Sequence, residues 1–166
     1  MAQQARKKPF EGLRVADFAW VGVGPTVSKY LADHGAEVIR IESSTYPEAL
    51  RRVGPFVNDT PNIDGSGYYA NFNSSKLCMS VNFKHPRGPE LVRRLVAKCD
   101  VVTESYTPGT MARFGFDYES LSAGRDDLLM VSMPLYGQTG PWANYMGYGH
   151  VLQAASGFNH LTGWED

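Results

Sequence analysis

The stretch "VADFAWVGVGPTVSKYLADHGAEVIRIE", from Val15 to Glu42, decides the predicted fold. It begins with a short apolar run and a pair of glycines. Pro25 then stands where a helix begins, because proline is favoured at the first helical position. We expect this helix to end at Gly35, since glycine commonly follows a last helical turn. The run Val38–Ile41 is rich in β-branched residues, as in parallel strands buried on both faces. The stretch therefore predicts a strand, a helix and a second strand.

The rest of the chain continues this alternation. Strands are predicted over Met79–Phe83, in "DVVTES" and in "LLMVSMPLYG", and an amphipathic helix in "RGPELVRRLVAKC". Shorter helices are predicted over Thr110–Phe114, Tyr118–Leu121 and His150–Ala155. Such alternation predicts an α/β fold, a Rossmann-like doubly wound and mostly parallel sheet with right-handed crossovers. The chain ends at "TGWED" without a closing strand, so we expect the sheet to be incomplete in this chain.

Two further features concern where a ligand would bind. In doubly wound sheets, ligands lie at the carboxyl ends of the strands. These ends are predicted at Ala19–Gly24, Glu42–Ser43, Ser105–Tyr106 and Leu135–Gly140. The segment from Ser43 to Lys76 shows neither helical nor alternating periodicity and is predicted to be one long loop, a feature that is often functional.

Composition narrows the class of protein. With 166 residues, a net charge of −1 and 43% hydrophobic residues, the chain has the composition of a soluble globular domain. The near-neutral charge argues against binding to nucleic acid or an anionic membrane, and no apolar stretch is long enough to cross a bilayer. We therefore expect a cytoplasmic location, with residues 1–9 as a disordered basic leader and residues 10–166 as the folded part.

The cysteines indicate neither a metal nor a redox site. Cys78 and Cys99 are the chain's two cysteines, and they have no C-x-x-C spacing. We interpret both as small hydrophobic core residues and expect no metal.

The glycine turn leaves three interpretations open. Gly22 and Gly24 match the first two glycines of the dinucleotide motif G-x-G-x-x-G, with Glu42 as the acid that binds the ribose of NAD. However, Val27 replaces the third glycine, and Pro25 removes an N–H donor. Alternatively, the glycines only allow a sharp turn and Glu42 is a solvated strand end. The third interpretation is that the backbone passes close to another ligand at the helix N-terminus.

The order of several motifs favours the third interpretation. These motifs are "LRVADFAWVGVGP", "LADHGAEVIRIE", "YYANFNSSK", "CDVVTESYTPGTMARFGFDYESL" and "YGQTGP", followed by "QAASG" and "TG". Together they resemble the class III CoA-transferases, the family of formyl-CoA transferase and the carnitine CoA-transferases, with the methylacyl-CoA racemases as relatives. The resemblance covers about residues 10 to 163 and implies that the glycine turn binds coenzyme A rather than NAD.

The resemblance also implies a set of coenzyme A contacts. They comprise the loop after the first strand, positions after the second strand and around the third, the residues after the fourth strand, an arginine for the CoA phosphates and a pocket tyrosine. In this sequence they are Trp20, Val21, Gly22, Val23, Ser43, Asn73, Lys76, Val81, Ser105, Tyr106, Arg113 and Tyr148. Guanidinium groups suit phosphate and aromatic rings suit adenine, which is consistent with this set.

Some positions depart from the family pattern. Gly22 replaces a glutamine, Ser105 an asparagine, Met146 a lysine found near the pocket tyrosine, and Ser43 an arginine found in several members. These departures leave coenzyme A binding intact as an expectation but do not identify the acyl group.

The family's chemistry implies an acyl-CoA:carboxylate CoA-transferase that acts on an acyl-CoA and a carboxylic acid acceptor. The nucleophile in this family is an aspartate that the resemblance places beyond "TGWED", and Asp166 is not expected to be that residue. We therefore expect the chain to be inactive alone, as the N-terminal part of an enzyme that forms an interlocked homodimer or is completed by another chain.

Two alternatives remain open. The chain is instead a non-catalytic coenzyme A-binding subunit of a split enzyme, or part of a racemase. The racemases use a histidine in the segment where Tyr148 aligns, and His150 follows two residues later.

Overall fold

A five-stranded parallel sheet forms the centre of the molecule. The computed structural model describes residues 7–164. The strands are β1 (Arg14–Asp17), β2 (Glu37–Glu42), β3 (Leu77–Ser80), β4 (Val101–Glu104) and β5 (Leu129–Ser132). Their order across the sheet is β3-β2-β1-β4-β5, and all neighbouring strands are parallel. This arrangement confirms the predicted α/β doubly wound fold.

Among the described residues, five helices lie in the connections between the strands, and two more follow the last strand. They are α1 (Val23–Asp33), α2 (Gly67–Asn73), α3 (Gly88–Val96), α4 (Thr110–Phe114), α5 (Tyr118–Leu121), α6 (Gly149–Ala155) and α7 (Phe158–Leu161). The predicted helices of this region are thus confirmed, with ends shifted by a few residues. Strand β3 begins and ends earlier than predicted, and α1 begins at Val23 rather than at Pro25.

The central strands are covered on both faces, toward which their side chains point alternately. Ala16 and Val102 belong to a cluster with Val92 and Val96 of α3. Val15 and its neighbours on adjacent strands instead pack against α1 in a second cluster. Both faces of the central strands are therefore apolar, as the β-branched runs predicted.

Residues 43–76 were predicted to be one long loop, and this prediction is wrong. The segment contains 3₁₀ turns at Ala49–Arg52 and Val57–Asp59, and then α2. Ser66 caps α2 by accepting a hydrogen bond from the Tyr69 N–H at 3.0 Å. A seven-residue helix shows too few turns for helical periodicity to be visible in the sequence.

The cysteine prediction holds for only one residue. Cys99 is buried, but Cys78 is exposed on the edge strand β3, where no further strand covers it. The predicted leader, residues 1–9, lies mostly outside the described residues, which begin at Lys7. Within residues 7–164, no helix combines the length and apolar composition that spanning a membrane requires.

Candidate functional site

The sheet places the candidate site where its strand order changes direction, between β1 and β4. Loops that follow neighbouring strands diverge at this point and leave a crevice at the carboxyl ends of the strands. A cavity of about 690 Å³ opens at these strand ends and extends over the carboxyl ends of β2 and β3. The residues that line it are Trp20, Ile41, Glu42, Ser43, Thr45, Tyr46, Asn82, Phe83, Lys84, Tyr106, Thr110, Arg113 and Phe114.

One wall of the cavity is aromatic. The rings of Trp20 and Tyr46 are stacked, with centroids 5.5 Å apart and 17° between their planes. Tyr106 meets Trp20 edge-on at 6.0 Å. The Trp20 Nε1 atom is buried and has no hydrogen-bond partner among the described residues. Burial raises the pKa of Tyr106, so its hydroxyl is neutral near pH 7. Such flat faces can stack on a nucleotide base.

Two cations line the same cavity. Arg113 is in the last turn of α4, and its Nη2 donates a hydrogen bond to Thr110 Oγ1 at 2.8 Å. Lys84 follows β3 and is exposed. Both side chains can donate charge-assisted hydrogen bonds to phosphate. The cavity thus combines aromatic faces with cations, the two features that a nucleotide with phosphate groups requires.

The loop between β1 and α1, residues 18–22, is attached to β4 by Ser105. The Ser105 Oγ accepts a hydrogen bond from the Trp20 N–H and donates one to the Trp20 carbonyl oxygen, both at 2.8 Å. Below the loop, Gly24 allows close packing, because a Cβ there would lie 2.5 Å from Ala19 Cβ. Ser105, which stands where the family pattern has an asparagine, therefore contacts the backbone of Trp20.

Glu42 does not behave as either simple interpretation of the glycine turn predicts. It is 8% exposed, so the prediction of a solvated strand end is wrong. Its carboxylate accepts hydrogen bonds from Arg51 Nε at 2.7 Å and Nη2 at 3.1 Å, from Arg40 Nε at 3.2 Å and from the Tyr69 hydroxyl. Both oxygens are therefore bonded within the protein rather than available to a ribose.

The structure brings some of the predicted contacts together at this cavity. Trp20, Ser43, Tyr106 and Arg113 line it. A second cavity of about 430 Å³ shares Tyr106 and is also lined by Ser105 and Tyr148. Tyr148 is 73% exposed. The two cavities meet at Tyr106.

Other predicted contacts line neither cavity. Val21, Gly22 and Val23 form the end of the loop and the start of α1, and Val81 is buried in the core. Asn73 and Lys76 bind each other, with 2.9 Å between Oδ1 and Nζ. The structure therefore does not bring these six residues to the wall of either cavity.

The sequence reasoning missed several lining residues. Tyr46 follows the end of β2, and Asn82, Phe83 and Lys84 follow the end of β3. The carboxyl end of the third strand was not among the predicted ligand-binding ends. The rule that ligands lie at the carboxyl ends of strands would have found Asn82, Phe83 and Lys84 had it been applied to the third strand. Tyr46, in contrast, lies further along the loop after β2 than the predicted end at Glu42–Ser43.

The comparisons with known proteins identify the family of the chain. Residues 10–166 match the model of CoA-transferase family III, so the chain belongs to this family. It is 39% identical over 160 residues to succinyl-CoA:glutarate CoA-transferase of Mus musculus, covering 96% of this chain and 36% of that protein. It is 40% identical over 164 residues to succinate–glutarate CoA-transferase of Agrobacterium fabrum, covering 97% and 41%.

Solved structures show the same fold. A CAIB/BAIF family protein from Brucella suis matches with a TM-score of 0.86 and 37% identity, over 95% of this chain and 42% of that one. A hypothetical protein from Mycobacterium tuberculosis matches with a TM-score of 0.81 and 31% identity, over 96% and 42%. The chain thus spans about two-fifths of these relatives or less.

Proposed function

We propose that this chain is the coenzyme A-binding part of an acyl-CoA:carboxylate CoA-transferase. Membership of CoA-transferase family III supports the reaction class. The observation that carries the proposal is the cavity at the strand ends, where Trp20, Tyr106 and Arg113 line one space. Aromatic faces and a guanidinium are the groups that an adenine nucleotide with phosphates requires.

Two adjoining cavities suit the two ends of an acyl-CoA. The larger cavity, with Lys84 and Arg113, is assigned to the nucleotide. The smaller cavity is lined by apolar and tyrosyl side chains, with Tyr106 at the junction, and is assigned to the pantetheine arm and acyl group. Ligand sites of this kind are mostly apolar, with a few polar groups that set orientation.

The family resemblance supplies the chemistry. An aspartate attacks the thioester carbonyl, which forms an acyl-aspartyl anhydride and releases the CoA thiolate. The thiolate then attacks the aspartyl carbonyl and releases the first carboxylate, which leaves an aspartyl-CoA thioester. The acceptor carboxylate attacks this thioester, which forms a second anhydride with the aspartate and releases the CoA thiolate. The thiolate then attacks the acceptor carbonyl of the anhydride, which forms the product thioester and regenerates the aspartate. The role of this chain in each step is to hold CoA.

Coenzyme A binding by the purified chain tests the proposal. Isothermal titration calorimetry with CoA and with NAD should show CoA binding and no comparable NAD binding. Arg113→Gln should weaken CoA binding by about 10- to 100-fold, because a hydrogen bond to a charged group contributes about 1.5–3 kcal/mol.

Arg94→Gln is the matched control, because Arg94 is an exposed arginine on α3 that does not line the cavity. Its CoA affinity should equal that of the unmodified chain. NAD binding as tight as that of CoA, or an unchanged affinity in Arg113→Gln, would contradict the proposed site.

The cellular setting follows from the family resemblance. We infer a cytoplasmic enzyme that works as an interlocked homodimer or with a complementary chain. Large apolar side chains near the end of the described region support such an assembly, since Met146, Leu161 and Trp164 are 79%, 81% and 95% exposed. Light scattering of the purified chain, measured as it elutes from a size-exclusion column at several concentrations, should show that the chain associates with itself. A mass that stays that of a monomer at every concentration would contradict a homodimer.

A further inference from the structure

Glu48 connects the segment after β2 to the loop after β1. The Glu48 side chain is fully buried, and its Oε1 accepts a hydrogen bond from the Val21 N–H at 2.7 Å. The other oxygen, Oε2, is paired with Arg40 Nη2. Arg40 in turn donates from Nη1 to the carbonyl oxygen of Ala19 at 2.7 Å. One buried ion pair therefore holds the backbone on both sides of Trp20.

The backbone that Glu48 holds is unusual. Val21 has φ of +54°, in the left-handed region. β-Branched residues seldom adopt this conformation, which is strained and persists only where surrounding contacts impose it. The hydrogen bond to Glu48 is such a contact. Without it, Val21 is expected to return to a more common conformation and to turn the neighbouring Trp20 indole away from the cavity wall.

The pair lies in a group of buried side chains of opposite charge. Arg40 is fully buried, and it also contacts Asp17 Oδ2 at 3.4 Å and Glu42 Oε1 at 3.2 Å. Lys76 Nζ is 3.1 Å from the same Asp17 oxygen. Burial alone would lower the pKa of Arg40, but Asp17 and Glu48 raise it overall, so the guanidinium stays charged. Loss of one partner leaves an uncompensated buried charge.

We propose that Glu48 is a positioning residue for coenzyme A binding, acting through the Val21 N–H and Arg40 to hold the Trp20 wall. Glu48 itself does not line the cavity. Its effect is pre-organisation: a loop already held in the bound shape loses less conformational freedom when the ligand binds. The proposal rests on the proposed function, because it presupposes that the Trp20 wall contacts CoA.

The test measures the effect of Glu48 on the loop and its effect on CoA binding in separate experiments. In Glu48→Ala, the Val21 amide should exchange hydrogen at least about tenfold faster, which heteronuclear NMR measures without ligand. CoA binding, measured by calorimetry, should weaken by at least about tenfold. Glu48→Gln keeps an oxygen that accepts from the Val21 N–H, so its exchange rate and affinity should lie between those of Glu48→Ala and the unmodified chain.

Asp100→Ala is the control for a general loss of stability. The Asp100 carboxylate also accepts a backbone hydrogen bond, from the Arg14 N–H at 2.8 Å. This bond lies at the amino ends of β1 and β4, away from the cavity at the carboxyl ends of the strands. This variant should lower the thermal midpoint and leave Val21 exchange and CoA affinity unchanged. All variants are compared at the same interval below their own thermal midpoints.

The outcomes distinguish the two proposals. If the unmodified chain binds no CoA, the proposed function is overturned and the positioning role with it. If the unmodified chain binds CoA and Glu48→Ala binds equally well, or if Val21 exchange is unchanged, only the positioning role is overturned. If Glu48→Ala does not fold, the same comparison is made with Glu48→Gln, for which unchanged exchange and affinity would overturn the role.

Discussion

Glu42 shows how one residue in this protein serves the frame of a site rather than its ligand. Burial alone would raise the pKa of its carboxyl group, but the hydrogen bonds from Arg51 and Tyr69 lower it below the ordinary glutamate value. The Arg51 guanidinium also lies 3.8 Å from the centre of the Tyr69 ring. This cluster attaches α2 and the turn at Ala49–Arg52 to the end of β2.

The lowered pKa of Glu42 predicts a pH-dependent stability. Because the folded-state pKa lies below the unfolded one, the stabilisation is present at neutral pH and is lost as pH falls through the folded pKa. Near pH 7, Glu42→Gln should unfold with a free energy about 1–3 kcal/mol lower than that of the unmodified chain. The difference should shrink as pH falls below the ordinary glutamate pKa and through the lower folded-state pKa of Glu42.

Urea unfolding across this pH range measures the effect. Glu119→Gln serves as control, since Glu119 is an exposed acid on α5. Its stability should stay within about 0.5 kcal/mol of the unmodified chain. If the difference in unfolding free energy between Glu42→Gln and the unmodified chain does not change with pH, the charge of Glu42 is not what stabilises the cluster.

The two cysteines should differ in reactivity. Burial raises the pKa of the Cys99 thiol to about 11, so it is protonated near pH 8, whereas Cys78 is exposed. Because the thiolate is the reactive form, brief treatment with iodoacetamide should add one group, at Cys78. Mass spectrometry of the digested protein locates it, and folded Cys78→Ser should take up none. Rapid labelling of Cys99 in the folded chain would contradict its burial.

At the scale of elements, the junction of β1, α1 and β4 forms the frame of the site. Helix α1 starts directly after the loop at residues 18–22, and β4 ends at Glu104, next to Ser105. Gly24, in the first turn of α1, lies against both the loop after β1 and the end of β4. A Cβ at this position would lie 2.5 Å from Ala19 Cβ and 3.0 Å from Ser105 Cβ. The helix can approach the strands this closely only without a side chain at that position.

Gly24→Ala should therefore destabilise the protein. Overpacking of this kind typically costs about 1–3 kcal/mol, and the change should also displace the loop that carries Trp20. Chemical unfolding measures the first effect and calorimetry with CoA the second. Gly149→Ala is the matched control, because a Cβ on that helical glycine meets no atom within 4 Å. Equal stability of the two variants would contradict the close approach.

At the scale of the whole molecule, CoA binding should stabilise the fold, because the cavity is assembled from loops that follow four strands. A ligand that binds only the folded state at 100 times its dissociation constant adds about 2.7 kcal/mol. For a chain of this length, that corresponds to a rise in the thermal midpoint of about 5–10 °C. Calorimetric scans with CoA and with NAD test this, and NAD should leave the midpoint within about 1 °C. A similar rise with both would contradict selectivity for CoA.

The local patterns of the chain predicted most of the fold. Helix α3 shows clear helical periodicity, and the β-branched runs of β2 and β4 are typical of buried parallel strands. Helix α2 was missed because its seven residues make only about two turns, too few for a visible helical pattern, and its cap at Ser66 depends on local geometry. Part of the site was predictable as well, since Trp20 and Tyr106 directly follow strands and do line the cavity.

The alternation of strands and helices can be predicted from local patterns, because it depends on hydrophobic spacing within a few residues. The same patterns show which residues follow each strand. Which of these residues share one cavity, and which bind each other, depends on how the strands and helices pack together. Asp17 and Lys76 are 59 positions apart in the chain, yet their side chains form a buried pair. Such pairing depends on the order of strands in the sheet and on burial, and neither is encoded in the spacing of neighbouring residues.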